Sequence, residues 1–529
     1  MRKGKSAGDT KSSSMGWGPL IVICMASFIL VFDTTAMSVA INDLVVDLHT
    51  TVGTIQAVMA VYTLIMASMM LMGAKLCDMY GRKKVFLIGV AVYGVGTVTA
   101  SLSPNVAVLL TGWSVIEGCA AAAMMPANMA LLASTYTDRR NRATAFAIYG
   151  GIVAGGAALG PLLGGFIISA ISWRAVFAIE LILVVIILAG SRVLKEVEID
   201  ALKRPSMDII GVIISAVSFF LIILAFLMLK HGGSLLSLVL FMLVLGIIMF
   251  MCFKLWTDRR KRENKTPLFD FDLFKSKTFM FGNITMLTTY ISLMGIMFIL
   301  PVYMQEVLKY SAVQTGIYLI PFSFTVLIIA FVAGPLSQKF NPKYLLMLGI
   351  IIAAIGVFVI HHLFSGQKIV VGSDLAIGLT ICGIGTGFII ALLTNMLISA
   401  VKEEKQSEGS GMIRGITNLG SSMGTSVIGS VLLIFVFSGI VTGVLSSPVL
   451  DVDMPEDKLI TDLQDYANKM QGEHANINLS QYPEEKVNEF KSIVNTATQS
   501  AMKQSFLVIF SVLVVTLVFA LFIPAKKQR

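Results

Sequence analysis

Gly151–Phe166 reads GIVAGGAALGPLLGGF and lies inside an apolar run from about Ala143 to Ala170. A helix needs roughly twenty apolar residues to cross a bilayer, and this run is long enough. Gly156, Gly160 and Gly164 recur at every fourth residue, so they share one helix face, with Gly165 beside the last of them. Small residues at that spacing let the backbone of a second helix come close. Pro161 lacks the N–H that a helix interior uses, so a bend is expected there, with neighbouring helices covering the freed carbonyl. The stretch predicts a membrane helix that packs tightly and bends at a fixed place; an ordinary packing helix is the plainer reading of the same glycines.

Composition extends the membrane reading to the whole chain. Of 529 residues, 56% are hydrophobic and only 13% are charged. A soluble domain has no use for so much apolar surface, so an all-α polytopic membrane protein is expected. The net charge of +9 would suggest nucleic acid only if the bases clustered on a soluble domain. They sit instead in short loops between apolar runs, so the expected partners are the bilayer and a small molecule, with no nucleic acid. Cys24, Cys77, Cys119, Cys252 and Cys382 lie in or at the ends of apolar runs without metal-ligand spacing. They read as small fillers, and no metal site is expected. Neither a P-loop nor H-E-x-x-H occurs, which speaks against an ATP-driven pump or a metallopeptidase. Gly420-Ser421-Ser422-Met423-Gly424 is a literal G-x-S-x-G, but it falls within a predicted span rather than a strand-to-helix turn. No enzyme and no cofactor are expected.

Hydropathy predicts about fourteen spans. Six run roughly 17–40, 52–72, 84–103, 106–131, 143–170 and 174–193. Two more, about 208–229 and 234–254, are joined by a turn at His231, Gly232 and Gly233. The last six run about 280–303, 313–336, 343–363, 371–397, 410–442 and 504–524. The basic clusters Arg2–Lys11, Arg82–Lys84, Arg139–Arg142, Lys195–Arg204, Arg259–Lys265, Lys339–Lys343, Lys402–Lys405 and Lys526–Arg529 all fall on one side. The positive-inside rule makes that side the cytoplasm, with both termini there, in the cell membrane. The one long loop on the other side, about 443–503, carries about twice as many acids as bases, so the rule holds. It is expected to form a helical hairpin, a lid or plain linker; Asn478-Leu479-Ser480 within it matches a glycosylation sequon.

AKLCDMYGRKKVFLIG after the second span and PLSQKFNPKYLLMLG after the tenth share a pattern. Each runs small, Leu, small, polar, aromatic, turn and basic, and then turns apolar. Repeated six-span halves are a transporter architecture with the substrate site between the halves. The expected division is a tail (1–16), a six-helix bundle (17–193), two inserted helices with their loops (194–279), a second six-helix bundle (280–524) and a tail (525–529).

These residues together resemble the fourteen-span drug:proton antiporters of the major facilitator superfamily, the QacA/EmrB type, over nearly the whole chain. The G-x-x-x-G-P-x-x-G-G pattern of Gly156–Gly165 resembles the antiporter motif of their fifth span. Residues 74–84, AKLCDMYGRKK, resemble G-x-L-A-D-R-x-G-R-K, with Asp78, Gly81, Arg82 and Lys83 kept and Ala74 and Met79 departing. In the family this cluster latches the two halves together; a stop-transfer charge cluster is the plainer reading. Trp173–Phe177, Leu300–Pro321 and residues 410–424 resemble further family segments.

Carboxylates inside a membrane are costly and mark ion or substrate paths. Asp33, in VFDTTAMSVAI, resembles the family's first-span L-D-x-T motif. The resemblance implies that it faces the central cavity and takes part in proton coupling or cation binding; a structural aspartate bonded to Thr34, Thr35 or backbone is the alternative. Glu117, in GWSVIEGCAAAA, stands where the family's R-x-x-Q-G has glutamine, and Ser114 stands where it has the arginine. Glu180 stands where asparagine is usual. Each is a candidate for proton coupling, against polar packing for Glu117 and solvation or pairing with Arg174 for Glu180. Tyr62, Trp113, Ser114 and Tyr149 are candidates for the cavity wall. The resemblance implies a monomeric exporter of amphipathic, often cationic compounds, with protons as the coupling ion. A lipid, fatty acid or other envelope metabolite is the alternative cargo, and a non-transporting sensor is the third reading. The charge pattern predicts that a probe attached to Asn476→Cys reacts with a reagent added outside the cell and one attached to Arg262→Cys does not; the opposite labelling pattern would invert the topology.

Overall fold

The structure, a computed structural model, describes residues 16–196, 206–229, 236–365, 369–450 and 483–525. The basic N-terminal tail, most of the Lys195–Arg204 cluster, the His231–Gly233 turn, the Asn478–Ser480 sequon and Lys526–Arg529 lie outside the described residues. Every regular element among the described residues is helical.

Twelve described helices are long and apolar enough to cross a membrane, and a pair bent by 45° makes a thirteenth span. The helix that carries the glycine motif is thirty-two residues long. In chain order the first six are α1 (Trp17–Met37), α2 (Val52–Ser68 continued by Met70–Tyr80), α3 (Arg82–Ser101), α4 (Val106–Thr135), α5 (Arg139–Ala170) and α6 (Trp173–Gly190). Then come α7 (Ile209–Leu229) and α8 (Leu236–Arg262). The last six are α9 (Lys277–Val302), α10 (Ala312–Lys339), α11 (Pro342–Leu363), α12 (Ala376–Ser399), α13 (Gln406–Ser446) and α14 (Glu484–Leu521).

α1 to α6 pack among themselves, as do α9 to α14, and the two sets meet along α5 with α10 and along α2 and α4 with α13. α7 sits against α2 and α13, while α8 packs chiefly on α7. The inserted pair is therefore attached at the seam between the halves.

The glycine face of α5 lies on α1. A Cβ at Gly160 would fall 1.8 Å from Thr35 Oγ1, and one at Gly164 would fall 2.7 Å from Ala36 Cα. At Gly156 it would touch the Phe28 ring at 3.2 Å. Pro161 stands inside the unbroken helix, and Gly165 is buried beside Gly164. On another face of α5 the backbone approaches α10, where a Cβ at Gly151 would lie 2.5 Å from Ala330 Cβ. One helix thus binds the first half internally and carries the seam to the second.

Of the segment expected to form a helical hairpin, a lid or a linker, the described part before the last span is helical. Residues from Glu484 onward continue without a break into α14, a helix of 38 residues, about 57 Å long at 1.5 Å per residue. Glu484 and Glu485 in its first turn suit the positive end of the helix dipole. α13 runs 41 residues beside it. The two touch where a Cβ at Gly443 would fall 2.4 Å from Ile493 and one at Gly439 2.8 Å from Ala497. Close packing of small residues extends both helices past the bilayer. Residues 451–482 lie outside the described residues.

Gly160→Leu drives a side chain into Thr35 and Ala36. Overpacking of this kind costs about 1–3 kcal/mol, so the detergent-solubilised variant should melt several degrees lower and lose transport in vesicles. Wild-type melting and transport together would mean that α1 and α5 do not depend on this contact.

Candidate functional site

The turn between α2 and α3 shows why its glycine is there. Gly81 has φ +102°, a conformation that side chains strain to adopt. The chain reverses, and Arg82 opens α3 pointing across the bundle. Its Nη1 donates to Ala130 O at 3.3 Å and its Nη2 to Glu403 O at 2.9 Å, just before α13. Lys83 Nζ donates to Leu194 O at 2.7 Å, within the first half. Asp78 lies beside Ser407, Lys75 and Arg82. Asp78 and Arg82, four residues apart across the turn, do not form a direct ion pair; Arg82 is taken up by carbonyls of α4 and the second half.

Lys75, one turn earlier, makes the ion pair across the seam. Its Nζ lies 3.8 Å from Glu408 of α13 and donates to Pro267 O at 2.8 Å. The network continues through Asp270, whose N–H donates to Glu408 Oε2 at 3.2 Å and whose carboxylate pairs with Lys261 at 2.7 Å and with Lys405. Burial alone would raise the Asp270 carboxyl, but the two ammonium groups outweigh it and hold it at about 2. Its stabilising charge is thus present above the ordinary value of 3.8 and is lost as pH falls through about 2. Ser410 Oγ adds a bond to Pro126 O at 3.2 Å. On the side that carries the basic loops, first half, second half and inserted pair are tied together.

Between the halves lies a cavity of about 370 Å³. Its wall is mainly apolar and soft, with Met59, Met66, Met125, Met294 and Met297 among aromatic Tyr62, Trp113, Tyr290 and Phe322. Tyr62 and Trp113 stand on it with ring centroids 5.9 Å apart. Ser114 is turned away and donates to Val58 O at 2.7 Å, so it does not line the cavity. Tyr149 stands behind the wall, its hydroxyl 2.5 Å from Nη2 of Arg414. Arg414 itself faces the cavity and was missed by the sequence reading, although a lone arginine in the otherwise uncharged run Gly409–Ser446 is a legible signal. α7 also reaches the cavity, through Leu227.

Asp33 is not on the cavity wall, contrary to the expectation. The contact of α1 with α5 through Phe28, Thr35 and Ala36 turns Asp33 away, toward α4. Its Oδ2 accepts from Trp113 Nε1 at 2.8 Å, so the indole stands between the carboxylate and the cavity. Asp33 meets Glu117 and Glu180 there, with one oxygen from each within 4.8 Å of the others and all three side chains fully buried. The alternative considered for Glu180, a pair with Arg174, does not occur. Arg174 pairs with Asp47 at the helix end, held also by Ser103 O at 2.9 Å, whereas Glu180 accepts from Tyr93 Oη at 3.4 Å.

Local structure brings the acids together. Residues Leu110–Glu117 of α4 form a π-helical stretch, which carries both Trp113 and Glu117. Gly96 of α3 leaves the space that Glu117 fills, since a Cβ there would lie 2.5 Å from Glu117 Cγ. Asp33 Oδ1, both Glu117 oxygens and Glu180 Oε1 have no hydrogen-bond partner among the described residues. Carboxyl groups so close and so dry are coupled, so the charge on one affects the charge on the others.

Two helical halves about a cavity, with buried acids behind its wall, define a membrane transporter rather than an enzyme. The chain belongs to the Major Facilitator Superfamily, whose model matches residues 23–269, 206–425 and 282–528. It is 26% identical over 416 residues to the multidrug resistance protein Stp of Mycobacterium tuberculosis, covering 78% of this chain and 75% of Stp. It is 28% identical over 423 residues to the probable actinorhodin transporter of Streptomyces coelicolor, covering 78% and 72%. The crystal structure of the human organic anion transporter MFSD10 (TETRAN) shares the fold, with a TM-score of 0.56 at 12% identity over 94% of this chain and 97% of that one. The chain is thus a multi-pass membrane protein of a transporter family.

If the network on the basic side closes the cavity, Arg82→Ala should open it. A cysteine at Thr34, in a background without the native cysteines, should then react several-fold faster with a thiol reagent applied to that side of oriented vesicles. Equal rates with and without Arg82 would show that closure lies elsewhere.

Proposed function

We propose that this chain is a secondary exporter that exchanges protons for amphipathic small molecules by alternating access. It works as a monomer in the cell membrane, with both termini and the basic loops in the cytoplasm. The observation that carries the reading is the buried cluster of Asp33, Glu117 and Glu180 set behind the aromatic wall of the cavity. The named roles of Stp and the actinorhodin transporter support antibiotic-like cargo.

In this reading the cargo and the acids communicate through Trp113. Cargo against the indole and Tyr62 disturbs the bond to Asp33, and a carboxylate that loses its donor holds a proton differently. Cargo binding and proton release are then linked without direct contact between cargo and acid. The network of Arg82, Lys75, Glu408 and Asp270 serves as the cytoplasmic latch, broken and remade as the halves rock about α5 and α10. The glycine face of α5 keeps α1, and with it Asp33, in register during that motion.

The test uses purified protein with ethidium as a cationic probe and 1-naphthoate as an anionic one. Probe-induced proton release is followed between about pH 6 and 8, in choline buffer so that sodium cannot substitute. Asp33→Asn should abolish release and proton-driven transport while the protein still inserts. Glu117→Gln, which restores the usual family residue, should do less harm. Wild-type release from Asp33→Asn would remove Asp33 from the coupling role and leave it to Glu117 or Glu180. Absence of release from the wild type with either probe would sink the antiport reading itself.

A further inference from the structure

The charges around the cavity are sorted by half. The three membrane acids all belong to α1, α4 and α6, and none of them reaches the wall. No carboxylate is among the lining side chains, and the one charged group there is Arg414 of α13. Arg414 is only 7% exposed. Its Nε lies 3.1 Å from Met129 Sδ, its Nη2 donates to Tyr149 Oη, and its guanidinium stands 5.4 Å from the Tyr149 ring centre. Among the described residues no carboxylate lies within ion-pair distance of it.

A buried guanidinium without an anion is expensive, because the desolvation of the charge is not offset. Here two neutral groups orient it and leave the remaining donors of its fork toward the cavity. A stripe of polar residues continues along the same face of α13, at Thr417, Asn418, Ser421, Ser422 and Thr425. These positions follow Arg414 at helical spacing. Asn418 Nδ2 is buried with no partner among the described residues, so a second donor on this wall is also unanswered. The facing walls are methionine and aromatic rings, which take a flat or adaptable apolar body.

We propose that the cargo is an amphipathic anion, whose acidic group, a carboxylate or sulfonate, is held by Arg414 and Asn418 while its apolar body lies against Trp113, Tyr62 and the methionines. This replaces the cationic cargo that the resemblance implied. A cation in this cavity meets a positive wall, and Asp33 is screened from it by the indole. The proposal deepens the exporter reading and rests on it for the identity of the cavity as the cargo site.

The test compares two probes of one shape and opposite charge, 1-naphthoate and 1-naphthylmethylammonium. Each is dialysed to equilibrium against the full protein in nanodiscs, with empty nanodiscs subtracted. The wild type should bind the naphthoate and prefer it to the ammonium. Arg414→Gln should weaken naphthoate binding about ten- to hundredfold. Arg414→Lys, which keeps the charge but not the fork, should retain an intermediate affinity. Tyr149→Phe leaves the charge in place and frees its orientation, so it should weaken binding less than Arg414→Gln does; its melting curve checks that this region still folds. Decanoate as competitor separates an acyl carboxylate from an aromatic acid, and displacement by it supports the same anion site. Tighter binding of the ammonium, naphthoate affinity unchanged in Arg414→Gln, or no naphthoate binding at millimolar concentration overturns the proposal. Dialysis needs no proton gradient. Arg414-dependent anion binding without proton-driven transport would therefore fail the exporter reading alone, and proton-driven ethidium export untouched by Arg414→Gln would fail this one alone.

Discussion

The backbone contact between α1 and α5 fixes the placement of nearly everything else. At Gly160 the two helices approach until no Cβ fits beside Thr35. Without water to compete for apolar surface, membrane helices hold together through such close packing. The contact sets the rotation of α1. Phe28, Thr35 and Ala36 face α5, and Asp33 is thereby sent toward α4. The acid cluster, the bond to Trp113 and the absence of acid from the cavity wall all follow from that rotation.

A second constraint is the cost of charge in the membrane. Each half solves it separately. In the first half three buried carboxyl groups are gathered behind the cavity wall, away from the cavity itself. In the second half a single guanidinium is fixed by a tyrosine hydroxyl and a sulfur, with the cavity as its remaining neighbour. Arg414 lines the cavity on the α13 side, and Trp113 stands between the cavity and the acids on the other.

Much of this was legible in the sequence because periodicity and cost are local. The spans, the glycine face, the turn at Gly81 and the expense of Asp33 can each be read within one helix. What was not legible depends on how helices are rotated against one another. Asp33, Glu117 and Glu180 come from three helices, and only a π-helical stretch in α4 and the missing Cβ of Gly96 let them meet. Lys75 looked like one more basic residue at a span end, because its partner Glu408 is more than three hundred positions away. The helical character of the stretch from Glu484 was legible in its apolar spacing, but its unbroken continuation into the last span was not. Arg414 stands out in the sequence as a lone charge in a long uncharged run, but only the rotation of α13 shows that it faces a cavity.

α13 joins features that were described separately. It carries Glu408 at one end, Arg414 one and a half turns later, and Gly439 and Gly443 near the other end, in one helix with no proline. At 41 residues it is about 60 Å long, roughly twice the thickness of a bilayer's apolar core. A tilt of about 5° about its middle moves each tip by about 3 Å, as far as a hydrogen bond is long. One continuous helix therefore connects the Lys75–Glu408 ion pair near one end with the close contacts to α14 near the other.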